Sequence, residues 1–153
     1  MTTTITPSVL TLTVTEEINI NGTLNGATNT RTLTVNELLK RIVTCPASVE
    51  TTVLQFASGV NVAAGDLAYG DVKYIRITNK DNTNAVKVAY VTTNTNFQVT
   101  LGAGESHVFG ATTAFGIGGE DTTPLFPTLE TLIRVIIDPA ANAVDVEVFA
   151  ASA

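Results

Sequence analysis

A chain of 153 residues with 44% hydrophobic and 14% charged side chains suits one domain, large enough to bury roughly two-thirds of the surface its unfolded form exposes. Eight Lys and Arg against fourteen Asp and Glu leave a net charge of −6. With no basic cluster to neutralise phosphates, neither nucleic acid nor an anionic membrane is an expected partner. The one cysteine, Cys45, cannot close an intrachain disulfide, so it reads as a small buried apolar residue and gives no sign of an oxidising compartment. A mean hydropathy of +0.29 fits either a well-filled β core or a surface that a partner covers.

The opening M-T-T-T-I-T-P lacks the charged and apolar regions of a signal peptide, and no apolar run approaches the roughly 20 residues a membrane span needs. The expectation is a soluble chain made in a cytoplasm. Residues 1–8 read as a flexible arm ahead of a single domain over 9–153. Leu10, Leu12 and Val14 alternate with Thr11, Thr13 and Thr15, and Ile18 and Ile20 keep the same parity. That predicts one long strand or two collinear ones, broken at Glu16 and Glu17. Two Asn-Gly pairs, Asn21-Gly22 and Asn25-Gly26, signal tight hairpin turns, with a return strand through Arg31, Leu33 and Val35.

One short helix is predicted near residues 36–44, with Asn36 as its cap, Leu38, Leu39 and Ile42 on one face, and Pro46 as its stop. Residues 49–56 return to a strand pattern, and 59–70 form a loop-rich bridge. The stretch from Tyr74 to Phe109 then reads as four consecutive strands joined by Asn-, Asp- and Gly-bearing turns. Residues 110–127 hold Gly116, Gly118, Gly119, Pro124 and Pro127 and read as a long loop. At the C-terminus, a strand from about Leu132 to Ile137, the turn Asp138-Pro139-Ala140-Ala141-Asn142 and the alternating Val144, Val146 and Val148 predict a hairpin. No repeat period is present. The fold class is therefore all-β, a single antiparallel β-sandwich of jelly-roll type with about eight to ten strands and one small helix.

Candidate chemistry dissolves on inspection. His107 is the one histidine and Ser106 is its neighbour, so on a strand the two side chains point to opposite faces and no dyad forms. One His and one Cys cannot supply a zinc site. Asn79, Asp81 and Thr83 alternate as calcium ligands do, but lack the sixth-position glycine and the downstream glutamate. Gly116-Ile117-Gly118-Gly119 lacks the Lys and Ser/Thr of a phosphate loop, Glu120 and Asp121 are adjacent rather than facing, and Asn21-Gly22-Thr23 matters as a glycosylation pattern only on a secretory route. Trp is absent, which disfavours a carbohydrate platform, although Tyr69, Tyr74 and Tyr90 remain candidates for one. No catalytic, cofactor-binding or metal residue is assigned, and no enzyme activity or cofactor is expected.

The central run has the form I-R-I-T-N-x-D-x-x-N-x-V-x-V followed by F-x-V-x-L-x-x-G-E-S-x-x-F. It is carried by Ile75, Ile77, Asn79, Asp81, Asn84, Val86, Val88, Phe97, Leu101, Gly104, Glu105, Ser106 and Phe109, with V-D-V-E-V-F near the C-terminus as a weaker echo. It resembles small all-β virion structural proteins of tailed bacteriophages, found among head-decoration and tail-associated components. The resemblance implies a non-enzymatic virion protein made in the bacterial host cytoplasm. A capsid decoration or cement protein is the first choice, with a tail or adaptor component as the alternative. Its implied partners are the major capsid protein or tail proteins and further copies of itself. A carbohydrate-binding β-sandwich module is the second alternative. Attachment is expected through residues 1–7 and the loop at 110–127.

Overall fold

The computed structural model describes residues 6–57, 67–110, 117–118 and 129–153, and every described element is a strand. Chain entry forms a long β ribbon. Strands β1 (Ser8–Thr15) and β4 (Thr28–Val35) pair antiparallel from Ser8 with Val35 to Thr15 with Thr28. The shorter β2 (Ile18–Ile20) and β3 (Thr23–Asn25) continue the ribbon to its tip. Asn21 and Gly22 make the reversal with φ of 52° and 83°, the positive pair that a tight two-residue hairpin turn demands. The second Asn-Gly pair does different work. Gly26 lies against Glu16 where the ribbon is interrupted, and a Cβ there would sit 2.0 Å from the Glu16 carbonyl oxygen, so no other residue fits without movement. Across this interruption Glu16 N–H donates to the Ala27 carbonyl at 2.8 Å.

The expected helix at 36–44 is a strand. β5 (Glu37–Cys45) pairs residue for residue with β15 (Val144–Ser152), from Val144 with Cys45 to Ser152 with Glu37. Two adjacent apolar pairs, Leu38-Leu39 and Ile42-Val43, satisfy a period of 3.6 and a period of 2 equally well, and the ladder to β15 decides between them. Leu39 and Val43 pack against the core while Leu38 and Ile42 face outward. Asn36 caps nothing. Its N–H extends the ladder by donating to the Ser152 carbonyl at 2.8 Å.

The remaining strands are β6 (Thr51–Ala57), β7 (Leu67–Ala68), β8 (Val72–Asn79), β9 (Val86–Val91), β10 (Asn96–Leu101), β11 (Ser106–Gly110), β12 (Ile117–Gly118), β13 (Leu129–Glu130) and β14 (Arg134–Asp138). They form a five-stranded sheet in the order β10-β9-β14-β6-β7 and, with β5 and β15, a four-stranded sheet in the order β11-β8-β15-β5, beside the small pair β12-β13. All pairings are antiparallel except β6 with β7. The four strands expected between Tyr74 and Phe109 are present, but only β9 and β10 form a hairpin. The turns before and after that hairpin carry the chain from one sheet to the other. The C-terminal strands are likewise present without pairing to each other. β14 lies between β6 and β9, and β15 between β5 and β8, so the turn at 138–143 changes sheets.

Both sheets feed one buried cluster. Val53, Leu54, Val86, Val88, Tyr90, Val135 and Ile137 come from the first, and Ile75, Ile77, Val144, Val146, Val148 and Ala150 from the second. Fully burying one such aliphatic side chain contributes about 1.5–3 kcal/mol before entropy is charged against it. A separate small cluster seats the ribbon. Leu10, Leu12, Leu33 and Val35 pack on Tyr74, Phe149 and Ala151, on the outer face of the four-stranded sheet. Among the described residues no helix is long and apolar enough to cross a membrane.

Candidate functional site

Residues with chemical potential are held apart or held inert. His107 and Ser106 sit on β11 and diverge as alternation requires. The Ser106 hydroxyl bonds the Thr78 hydroxyl at 2.7 Å, whereas His107 Nδ1 meets the Tyr90 hydroxyl at 2.8 Å. His107, Tyr90, Phe97 and Phe109 form a ring cluster with centroids 5.1–6.3 Å apart. Burial there lowers the His107 pKa and pushes the Tyr90 phenol well above its usual value. Cys45 is fully buried, and burial raises its thiol pKa, partly offset by a hydrogen bond with Thr51, which leaves it a poor nucleophile.

The calcium-like loop is a pair of interlocked turns. Asp81 Oδ1 accepts from the N–H of Thr83 at 2.7 Å and of Asn84 at 2.6 Å, and these bonds hold its carboxyl below the usual range. A carboxylate oxygen committed to backbone donors is not aimed at a cation. Asn79 is completely buried, and its amide donates to the carbonyls of Asn84 at 2.8 Å, Leu101 at 3.3 Å and Gly102 at 3.0 Å. The Gly104 N–H reaches the Asp81 carbonyl at 3.1 Å, and Glu105 Oε2 accepts from the Gly102 N–H at 2.7 Å. Both crossings between the sheets, β8 to β9 and β10 to β11, are thus tied to each other. Among the described residues no group of three or more His, Cys, Asp or Glu side chains is gathered to hold a metal. Of the three tyrosines, Tyr74 and Tyr90 are buried and Tyr69 is 39% exposed.

The surface that stands out is the ribbon. Its base is seated on the outer face of the four-stranded sheet, whereas Val9, Val14, Ile18, Ile20 and Leu24 are each more than half exposed, with Leu24 at 66%. Antiparallel register places Thr11, Thr13, Thr15, Thr28, Thr30, Thr32 and Thr34 on the face turned away from Leu10 and Leu12. Hydroxyl pairs cross that face at Thr13–Thr30, 3.2 Å, and Thr15–Thr28, 3.3 Å. Two further exposed apolar side chains, Leu38 and Ile42, lie on β5, the edge strand of the sheet that seats the ribbon. Sequence reading found these strands but not their exposure. Its attachment candidates, residues 1–7 and 110–127, fall almost wholly outside the described residues, as do most of the bridge at 59–70 and the pair Glu120 and Asp121. The available signal was the scarcity of charge on the ribbon strands, which carry Arg31 alone, since a strand with one core face and one water face ordinarily carries several charges on the second.

No family model and no curated protein matches the chain. Among solved structures, a chain from the Bacillus endospore appendages, a family of disulfide-linked pili, is similar over 75% of this chain and 88% of its own, at 14% identity and a TM-score of 0.38. A likeness that slight carries no argument about fold or role.

Proposed function

We propose that this chain is a non-enzymatic structural protein of a tailed-bacteriophage virion, by preference a capsid decoration or cement protein that works through surface complementarity. The observation that carries the reading is the ribbon. A closed, well-filled core needs no such projection, and five large apolar side chains held more than half in water are a cost that a binding partner removes. The resemblance carried by Ile75 to Phe109 supports the choice of a phage particle. A tail or adaptor component would use the same surface and differ in location.

The same proposal takes the body to be a β-sandwich of jelly-roll type. With β7, β12 and β13 set aside, the eight body strands in chain order stand 1-8-3-6 in one sheet and 2-7-4-5 in the other. Two interleaved Greek keys produce that order, and viral capsid and lectin domains are among the proteins built on it. A standard contact of roughly 1,600 Å², repeated over several copies, gives firm attachment with no catalytic group.

Co-sedimentation of the purified chain with purified phage heads tests the role. Saturable binding that is lost when residues 8–35 are removed is expected. Failure to bind any virion part, together with saturable glycan binding that Tyr69→Ala abolishes, would establish the carbohydrate-binding alternative instead.

A further inference from the structure

The two edges of the ribbon are unlike. Along β1 the sequence Ser-Val-Leu-Thr-Leu-Thr-Val-Thr contains no charge, proline or glycine, whereas β4 carries Arg31 at its middle. Among the described residues β1 pairs with β4 alone, and among them its other edge is an open row of N–H and C=O groups. Folded proteins normally guard such an edge with a lysine, a proline or a bulge. Here none is present, and the β1–β4 register runs its full length without a shift. Strand-forming, uncharged segments of this length are those that pair with their own copies. A two-stranded ribbon is also marginal alone in water, and only the base of this one is supported, by Tyr74, Phe149 and Ala151.

We propose that the open edge of β1 pairs antiparallel with β1 of a second copy, joining two ribbons into a four-stranded sheet about a two-fold axis. Charge selects both the edge and the occupant. Self-pairing at β1 opposes no like charges, whereas self-pairing at β4 would bring two Arg31 guanidinium groups together near its centre. Side-chain parity limits the registers to those that keep the apolar stripes together, and centring the joint on Leu12 gives the most apolar opposition among them. Leu12 lies opposite Leu12 of the second copy, and Leu10 opposite Val14, so the apolar stripes of both ribbons share one face and the threonines share the other. Val14, 52% exposed in the single chain, acquires an apolar neighbour in this way.

Sedimentation analysis of the full chain tests this directly. Wild type should reach dimers at micromolar concentrations. Thr11→Lys with Thr13→Lys, which opposes lysines across the joint, should weaken the dimer roughly tenfold or more. Thr30→Lys with Thr32→Lys places the same two charges on the same face but along β4, and should leave the dimer intact. An equimolar mixture of the Lys pair with Thr11→Glu and Thr13→Glu should restore dimers, which also proves the variants folded. A monomeric wild type, equal weakening by the β4 charges, or no recovery in the mixture would each overturn the proposal. It rests on the ribbon as an assembly surface and not on the particle. A chain that dimerises through β1 yet ignores phage heads keeps this inference and loses the virion reading, and the reverse result separates them equally well.

Discussion

The Tyr90 hydroxyl lies 2.8 Å from Nδ1 of His107, and with that bond a residue of the five-stranded sheet is joined to one on the edge strand of the four-stranded sheet. The pair closes the side of the body where β10 and β11 meet, inside a cluster of four rings. Its consequence is a pH dependence with a definite sign. Burial lowers the folded-state pKa of His107 below 6.5, so the unfolded chain binds the proton more readily. The stability this neutral imidazole contributes is complete above pH 6.5 and declines as pH falls from there toward the lowered folded value. Urea midpoints should therefore drop between pH 7.5 and 5.5 in the wild type. In His107→Gln, which keeps a hydrogen-bonding partner for the Tyr90 hydroxyl but cannot titrate, that segment should be flat. An unchanged slope in the variant would remove His107 as its source.

Asn79 should be among the most sensitive polar positions in the body. Asn79→Ala strips donors from the buried carbonyl of Leu101 and the partly buried carbonyls of Asn84 and Gly102, and a fully buried group left unsatisfied costs about 1–3 kcal/mol. A loss of about 2–4 kcal/mol is expected in denaturant unfolding. Asn82, exposed in the same turn, serves as the control, and Asn82→Ala should change stability by less than about 0.5 kcal/mol.

Much of this body was legible in sequence because its pattern was local. Ile75 and Ile77, Val86 and Val88, and Val144 through Val148 alternate plainly, and each of these runs is a strand. What failed depended on distant partners. Glu37–Cys45 is compatible with a helix until the ladder to β15, about a hundred residues away, is known. Whether β14 and β15 form a hairpin depends on which sheet each joins, and a turn such as Asp138–Asn142 reads alike in both cases. The ribbon was legible as strands, but its exposure follows from what does not pack on it, and periodicity carries no information on that.

Gly26→Ala should damage the ribbon and spare the body. A methyl group 2.0 Å from the Glu16 carbonyl forces β2 and β3 out of line with β1 and β4. The expected cost is about 1–3 kcal/mol, confined to the tip. Hydrogen exchange should accelerate at Glu16 and along Ile18–Ile20, with protection of β8 and β15 unchanged. If protection in β8 and β15 fell as well, the ribbon and the body would be one cooperative unit.

Leu33→Asp should release the base instead. Leu33 packs in the cluster with Tyr74 and Phe149, whose rings meet edge to face at 5.7 Å, and a carboxylate there loses the apolar contact and is drawn partly out of water. Limited proteolysis should then cut within residues 8–35 at least tenfold faster while the body from β5 onward survives as a resistant fragment. Equal resistance in variant and wild type would mean the ribbon is not seated through this cluster.

The most direct test of the whole account is to find the chain in a purified particle. Cryo-EM of phage heads, with and without the protein, should place density for the body on the capsid exterior, with the ribbon at residues 8–35 making the contacts between neighbouring copies or with the capsid. Particles that lack the chain altogether, or that contain it with the ribbon free in solvent, would contradict the account.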